Sequence, residues 1–200
     1  MEVYWLDRLD KQLETETVVC LGMFDGVHLG HQQLLLEGKR IALKKNLTLC
    51  VHCYDTLPVN FLNQKAMVPE LTTLQDKLDL FKFFYADATA VDRFNERIAH
   101  MSGQAFIRDI VSGKLNAKHV VAGFNHRFGH GADSGPNELR AFCKSYGMEL
   151  SVISPVTTSS GILVSSTAIR QAILKDDPEL AAQMLGRPVG KAMEERVKSI

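Results

Sequence analysis

Short apolar runs alternate along this chain with longer segments in which apolar residues recur at helical spacing. Runs of four to five β-prone residues predict buried strands, and the longer periodic windows predict amphipathic helices. The predicted strands are 18–21, 47–51, 88–91, 119–122 and 150–153. The predicted helices are 31–45, 74–81, 103–111, 136–146, 166–174 and 178–185.

Residues that start or stop helices support these boundaries. Thr73 followed by Asp76 is typical of an N-terminal cap, Pro136 suits a first helical turn, and Asp177 opens the last predicted helix. Residues 54–72 carry two prolines and predict an irregular segment. Strands that alternate with helices predict an α/β fold, a parallel sheet with helices on both faces. In such sheets ligands bind at the carboxyl ends of the strands.

Composition and charge restrict the class of function. The 200 residues are 46% hydrophobic and 23% charged, and 23 Lys and Arg balance 23 Asp and Glu. A neutral chain without a basic stripe predicts no nucleic-acid or membrane partner. The first residues do not resemble a signal peptide, and no apolar run approaches the 18 or so residues of a membrane span. We therefore expect a soluble protein.

The four cysteines indicate the compartment. Cys50 and Cys53 resemble a CxxC motif, but they lie on a predicted strand, where residues three apart face opposite sides. They are therefore not expected to share a metal ion or a disulfide. Buried reduced thiols are the better interpretation of all four cysteines, and they favour a cytoplasmic protein.

The first candidate site is Gly-Met-Phe-Asp-Gly-Val-His-Leu-Gly-His at 22–31, between the first strand and the first helix. Its glycines allow close backbone approach, and free N–H groups at the helix start attract phosphate. His28 and His31 can donate to phosphate oxygens and stabilise charge that develops during transfer. A structural turn with two capping histidines is the alternative. The segment lacks the Gly-Lys-Ser/Thr of a P-loop.

Two further segments have similar properties. In Gly-Phe-Asn-His-Arg-Phe-Gly-His-Gly at 123–131, Asn125 offers donors and an acceptor, and Arg127 can pair with phosphate in bidentate fashion. In Val-Ser-Ser-Thr-Ala-Ile-Arg at 164–170, hydroxyls at a helix start can cap the helix or hold phosphates, with Arg170 one turn inside. Taken alone, the first of these segments suits a structural loop at least as well as a site, and helix capping is the safer interpretation of the second. Beside two other strand-end loops that suit phosphate, phosphate binding by the second is favoured. The isolated histidines 52, 100 and 119 are expected to be surface or packing residues.

The three segments, in this order, resemble the nucleotidyltransferase domain of bacterial FAD synthetases, which is their FMN adenylyltransferase half. Residues 22–31 resemble that family's Gly-x-Phe-Asp-Gly-x-His-x-Gly-His, and 123–129 its Gly-x-Asn/Asp-x-Arg-Phe-Gly. Residues 165–170 resemble its Ser-Ser-Thr-x-Ile-Arg, and 71–77 and 185–188 also match recurring segments. The resemblance implies a Rossmann-like nucleotidyltransferase fold.

The resemblance also implies an activity: ATP and FMN give FAD and pyrophosphate, with Mg²⁺ and without an enzyme nucleophile. The implied catalytic residues are His28, His31, Asn125 and Arg170. The implied FMN-binding residues are Asn125 and Arg127, and Asn125 would also lie near the metal. The implied ATP-binding residues are Gly22, Phe24, Asp25, Gly26, His28, His31, Ser165, Ser166, Thr167 and Arg170.

The chain departs from the family pattern in two places. The usual Pro-His pair after the second strand is replaced by His-Cys-Tyr-Asp-Thr-Leu-Pro at 52–58. The family's histidine on the flavin side therefore has no counterpart at the matching position. Residues 189–200 are too few for the riboflavin kinase domain of bifunctional members, so we expect a nucleotidyltransferase domain at 1–188 and a C-terminal tail. The alternatives are transfer to another phosphorylated small molecule, and an ATP- or flavin-binding sensor without turnover. Oligomeric state is not indicated by the sequence.

Overall fold

The computed structural model describes residues 1–199, which build a six-stranded sheet in which all paired strands run parallel. The strand order is β1-β4-β3-β2-β5-β6, so the chain works outward from β2 in both directions. The strands are β1 (Glu2–Trp5), β2 (Thr17–Leu21), β3 (Thr48–Tyr54), β4 (Ala88–Asp92), β5 (Ala117–Gly123) and β6 (Glu149–Ile153).

Helices connect the strands and follow the last one. Two are capped as the sequence predicts: Thr73 and Asp76 form a capping box, and Asp177 caps the helix that begins at Pro178. The α-helices are α1 (Leu29–Lys45), α2 (Pro58–Leu62), α3 (Leu74–Phe83), α4 (Glu96–Ala99), α5 (Gly103–Ala105), α6 (Pro136–Ser145), α7 (Ser166–Leu174), α8 (Pro178–Leu185) and α9 (Lys191–Lys198). A π-helix spans Phe106–Lys114, and a short 3₁₀ turn spans His130–Ala132.

Two apolar clusters cover the two faces of the sheet, as the alternation of strands and helices predicts. On one face, α1 and α3 pack on side chains such as Val18 and Cys20. On the other face, the π-helix and α6 pack on side chains such as Val19 and Val120. Cys50 belongs to the second cluster and Cys53 to the first, which confirms that these two cysteines face opposite sides. All four cysteines are buried and free.

A third cluster joins the C-terminal helices to the edge of the sheet where the strands end. Residues of α7, α8 and α9 pack on Leu71, with Leu29 at the start of α1 against them. Arg196 of α9 donates to the carbonyl oxygens of Glu70 and Leu71 at 3.3 and 2.9 Å. The segment after residue 188 is therefore packed on the domain through Met193 and Val197.

The structure departs from the predicted elements in a few places. The sequence pattern does not predict strand β1, because this strand is only four residues long, is partly exposed and shows no clear apolar pattern. The predicted helix 103–111 is helical but mostly π, and the irregular segment 54–72 contains the short helix α2. Across residues 1–199, none of the helices combines the length and apolar character needed to cross a bilayer.

Candidate functional site

A cavity of about 430 Å³ lies at the carboxyl ends of β2, β5 and β6. Three segments line it: the turn from β2 into α1, the loop after β5, and the start of α7. Its volume falls within the range of about 300–1,000 Å³ that small-molecule sites usually occupy. The parallel strands therefore bring together residues that are more than 140 positions apart in sequence, at the edge where such folds bind ligands.

His28 and His31 stand together in the wall of this cavity. Their rings stack with centroids 3.8 Å apart, and the His31 ring also lies 5.0 Å from that of Phe24. His28 caps α1, since its Nδ1 accepts the backbone N–H of His31 at 3.4 Å. Packing of this kind fixes both rings at the helix start, where the helix dipole and free N–H groups favour an anion.

Both histidines are neutral in this environment. Burial lowers the pKa of His28 to about 4. Burial also lowers the pKa of His31 well below its usual range, and the fields of His28, Lys77 and His126 lower it further. A neutral imidazole still carries one N–H donor, and a bound anion would favour its protonation. The pair can therefore donate to phosphate without carrying a permanent charge.

The turn that carries His28 is strained and braced by contacts from distant parts of the chain. Val27 has a φ of 38°, which is unfavourable for a β-branched residue. The Arg187 guanidinium donates to the carbonyl oxygens of Gly26 and Val27 at 2.6 and 3.1 Å, and Gln32 also donates to Val27. Gly26 has a φ of +80°, and a Cβ there would meet Leu71 at 2.8 Å. Only glycine fits this turn without a shift of its neighbours.

Asp25 holds the same turn from below. Its Oδ1 accepts the backbone N–H groups of Leu71 and Thr72 at 2.8 and 3.2 Å, and its Oδ2 forms an ion pair with Arg170. Burial raises the pKa of the Asp25 carboxyl, against Arg170 and the two N–H donors, which lower it. Because the carboxylate is fully engaged, it acts as a structural anchor for three segments.

The start of α7 reaches the cavity with its hydroxyl groups. Ser165 caps the helix, accepting the N–H of Ala168 at 3.1 Å, and Ser166 donates to the Asp25 carbonyl oxygen at 2.8 Å. Thr167 lines the cavity beside them. Arg170 points the other way: it donates to the Pro69 carbonyl oxygen at 2.7 Å and pairs with Asp25. The helix start is therefore open to a ligand, whereas its arginine braces the turn.

The loop after β5 forms the opposite wall. Asn125, His126 and Arg127 all line the cavity. The Arg127 guanidinium donates to the Ala132 carbonyl oxygen of its own loop. His126 stacks on Phe128 with ring centroids 5.5 Å apart. Asn125 is exposed and its side chain is free to meet a ligand.

Most of the predicted site residues line the cavity, and four of them lie outside its wall. Phe24, Asp25, Gly26 and Arg170 were predicted to bind ATP, but none of them lines the cavity. They are packed beneath it or paired with one another, because the turn needs their support. The predicted residues that do line the cavity are Gly22, His28, His31, Asn125, Arg127, Ser165, Ser166 and Thr167.

Three residues near the site were not assigned a role from the sequence. Arg187 braces the turn through two carbonyl oxygens, and His126 stands in the cavity wall. Lys77 is 1% exposed and donates to the Tyr54 carbonyl oxygen at 3.3 Å. Lys77 and Arg187 lie in segments that match the family pattern, and this match is the sequence signal that distinguishes them. His126 also lies in a matching segment, 123–129, but at a position that the family pattern leaves unspecified.

The isolated histidines fall as expected of packing and surface residues. His52 is buried, with its Nε2 3.7 Å from a carboxylate oxygen of Asp92. His119 is buried and lies 2.9 Å from the Ser151 hydroxyl, and His100 is exposed on α4. None of the three lines the cavity.

Comparison with known proteins identifies relatives over most of the chain. The sequence profile described as FAD synthetase matches residues 10–168. A bifunctional riboflavin kinase/FMN adenylyltransferase of Buchnera aphidicola subsp. Schizaphis graminum is 34% identical over 178 residues, 89% of this chain and 57% of that protein. The protein of the same name from Listeria monocytogenes is 34% identical over 90% of this chain and 56% of that protein. The one from Escherichia coli K12 is 32% identical over 86% of this chain and 54% of that protein. The chain therefore spans a little over half the length of these relatives.

Solved structures agree with the fold. A Streptococcus pneumoniae protein named as a macrolide-efflux protein superposes with a TM-score of 0.81 and 26% identity, over 94% of this chain and 61% of that one. A pantoate-beta-alanine ligase from Francisella tularensis gives a TM-score of 0.52 at 13% identity, over 93% and 85%, and supports the fold alone. Since the FAD synthetase profile covers well over half of the chain, the protein belongs to the FAD synthetase family.

Proposed function

We propose that this chain is an FMN adenylyltransferase that transfers AMP from ATP to FMN and releases pyrophosphate. The observation that carries this proposal is the single cavity shared by the His28/His31 turn, the Asn125 loop and the start of α7. Membership of the FAD synthetase family and the names of the relatives supply the substrates. Because the chain spans only part of those relatives, their riboflavin kinase activity is not proposed for it.

The reaction needs alignment and charge stabilisation more than acid–base chemistry. A phosphate oxygen of FMN forms a bond to the α-phosphorus of ATP. The bond from that phosphorus to the oxygen bridging to the β-phosphorus breaks, and the electron pair leaves with pyrophosphate. The protein must therefore hold two anionic groups in line and disperse the charge that moves between them.

The residues divide this work according to their place in the cavity. His28 and His31 donate to the ATP phosphates as charge develops, since their rings are fixed at the start of α1. The N–H groups of Ser166 and Thr167 and the Thr167 hydroxyl hold the outgoing pyrophosphate at the start of α7. Asn125 meets the phosphates or FMN from the other side. We assign Arg170 to this work through Asp25, as a residue that keeps α7 on the turn.

Mg²⁺ is proposed as part of the ATP complex. Within residues 1–199, no three or more His, Cys, Asp or Glu side chains are grouped so that they could hold a metal ion. The donors that do face the cavity are the Asn125 amide oxygen and the hydroxyls of α7. Such a donor set fits an ion held mainly by phosphates, as Mg²⁺ commonly is. When bound, the ion would neutralise charge on the phosphates.

We also propose one nucleotidyltransferase domain over residues 1–188, to which the following segment adds α9. A cytoplasmic location is proposed because the four buried free thiols suit a reducing compartment. ATP and FMN are the proposed small-molecule partners, and nucleic acid and membranes are not.

The test is to incubate the chain with ATP, Mg²⁺ and FMN and to follow FAD by chromatography. We expect FAD and pyrophosphate in equal amounts. Pyrophosphate released only with another phosphorylated acceptor would replace FMN by that acceptor. Binding of ATP and FMN without pyrophosphate release would mark a sensor and overturn the proposal.

A further inference from the structure

His126 has a buried ring nitrogen that finds no protein partner among residues 1–199. It lines the same cavity as His28 and His31. Among residues 1–199, its Nε2 is buried and finds no hydrogen-bond partner, and the same holds for Nδ1 of His31. Buried polar groups are rarely left unpaired in a folded protein, so two such nitrogens at one cavity call for a shared explanation.

The two histidines reach the end of β2 from opposite faces of the sheet. His31 contacts Phe24, which belongs to the cluster under α1 and α3. His126 stacks on Phe128, whose ring lies 5.9 Å from that of Phe106 on the face covered by the π-helix. A group placed over Leu21 and the following glycine, both in the cavity wall, is therefore flanked by imidazoles on two sides.

The start of α7 lies on the His31 side of this arrangement. Ser166 and Arg170 tie it to Asp25, and α7 packs with Leu71 in the third cluster. His126 therefore stands across the cavity from the helix start that we assigned to the outgoing pyrophosphate. In an in-line displacement, the attacking oxygen approaches from the side opposite to the leaving group.

We propose that His126 binds the phosphate of the acceptor, donating its ring N–H to a phosphate oxygen of FMN opposite α7. This inference rests on the proposed function and extends it to the residue that distinguishes a phosphorylated acceptor from an unphosphorylated one. The family pattern Gly-x-Asn/Asp-x-Arg-Phe-Gly leaves position 126 unspecified, so the assignment comes from this chain's own geometry.

The neighbouring residues support a neutral donor at this position. Burial, and then the field of His52, lower the pKa of His126 to about 4. A neutral N–H orients a phosphate oxygen without drawing off the negative charge that makes it a nucleophile. The Arg127 guanidinium, the other strong donor of this loop, is already engaged with the Ala132 carbonyl oxygen.

The test compares two substitutions of His126. His126→Phe keeps an aromatic ring to stack on Phe128 and removes both ring nitrogens. His126→Gln replaces the ring but keeps an N–H donor close to the position of Nε2. Binding of FMN and of riboflavin is measured by quenching of flavin fluorescence on the full chain, with ATP omitted so that no turnover occurs. His130→Phe, at an exposed histidine of the same loop outside the cavity, is the matched control.

We expect His126→Phe to weaken FMN binding by about 10- to 100-fold, the usual worth of a hydrogen bond to a charged group, and to leave riboflavin binding unchanged. His126→Gln should recover most of the affinity for FMN, and His130→Phe should change neither ligand. Equal losses for FMN and riboflavin, or no loss for either, would overturn the inference.

The role of His126 and the adenylyltransferase activity are tested by different measurements. A wild-type chain that forms no FAD defeats the adenylyltransferase proposal, whereas the assignment of His126 stands or falls on the FMN-to-riboflavin affinity ratio. Thermal unfolding of each variant checks that the fold is kept, since Phe and Gln both fit a half-buried loop position.

Discussion

The turn after β2 and the loop after β5 face each other across one cavity, yet they are held in different ways. The first is braced by buried partners from distant segments, with Asp25 paired to Arg170 and Arg187 bound to two carbonyl oxygens. In the second, Asn125 is exposed and a nitrogen of His126 is unpaired among residues 1–199. The first wall is held in place by contacts within the protein, whereas the second leaves the Asn125 side chain and a His126 nitrogen available to a ligand. Variants of the bracing residues in the first should alter stability and activity together, and variants in the second only activity.

The largest effect is expected from breaking the brace. Arg170→Met leaves the buried Asp25 carboxylate without its cation, and removing one partner of a buried ion pair usually costs about 3–5 kcal/mol. We expect the free energy of unfolding in urea to fall by that amount and FAD formation to be lost with it. Asn125→Ala, from the opposite wall, is the control and should change stability by no more than about 0.5 kcal/mol. Equal stability of the two variants would contradict the comparison.

His31→Ala should separate chemistry from stability within the braced wall. Loss of one charge-stabilising donor typically lowers turnover by about 10²–10³-fold. The same substitution at His100, which is exposed on α4, should leave the rate unchanged. The rate of pyrophosphate release at saturating ATP and FMN measures the effect. An unchanged rate in His31→Ala would place this histidine away from the reacting phosphate.

The smallest expected effect is on the pH dependence of stability. The pKa of His28 is lowered to about 4 in the folded protein, so the unfolded chain binds more protons below its ordinary value near 6.5. The contribution of His28 to stability is therefore complete above about pH 7 and is lost as the pH falls toward 4, by up to about 3 kcal/mol. Thermal or urea unfolding at several pH values should show a shallower loss in His28→Gln than in the wild type. A variant that follows the wild-type curve would show that His28 titrates normally.

Much of the fold could be predicted because its signals are local. The capping box at Thr73 and Asp76, the proline at the start of α6 and the apolar runs of β2 and β5 each specify an element within a few residues. The π-helix is harder to predict, because its apolar positions resemble those of an α-helix. Its backbone hydrogen bonds join residues about five apart instead of four. Strand β1 is too short and too exposed to show a clear pattern.

The candidate site was predictable only as far as its residues sit at the ends of strands. His28, His31, Asn125 and Thr167 share a cavity because parallel strands and the helix start deliver them to one edge. The pairing of Arg170 with Asp25 joins residues 145 positions apart, and no local pattern distinguishes that role from a phosphate contact. The position of His126 depends in the same way on packing against Phe128 and Phe106.

The most direct test of the central claim is a crystal structure of the chain with FMN and a non-hydrolysable ATP analogue. We expect a triphosphate chain within about 3 Å of the His28 or His31 ring and of the start of α7, with Asn125 facing it. A nucleotide bound elsewhere, with the His28/His31 cavity closed to its phosphates, would contradict it.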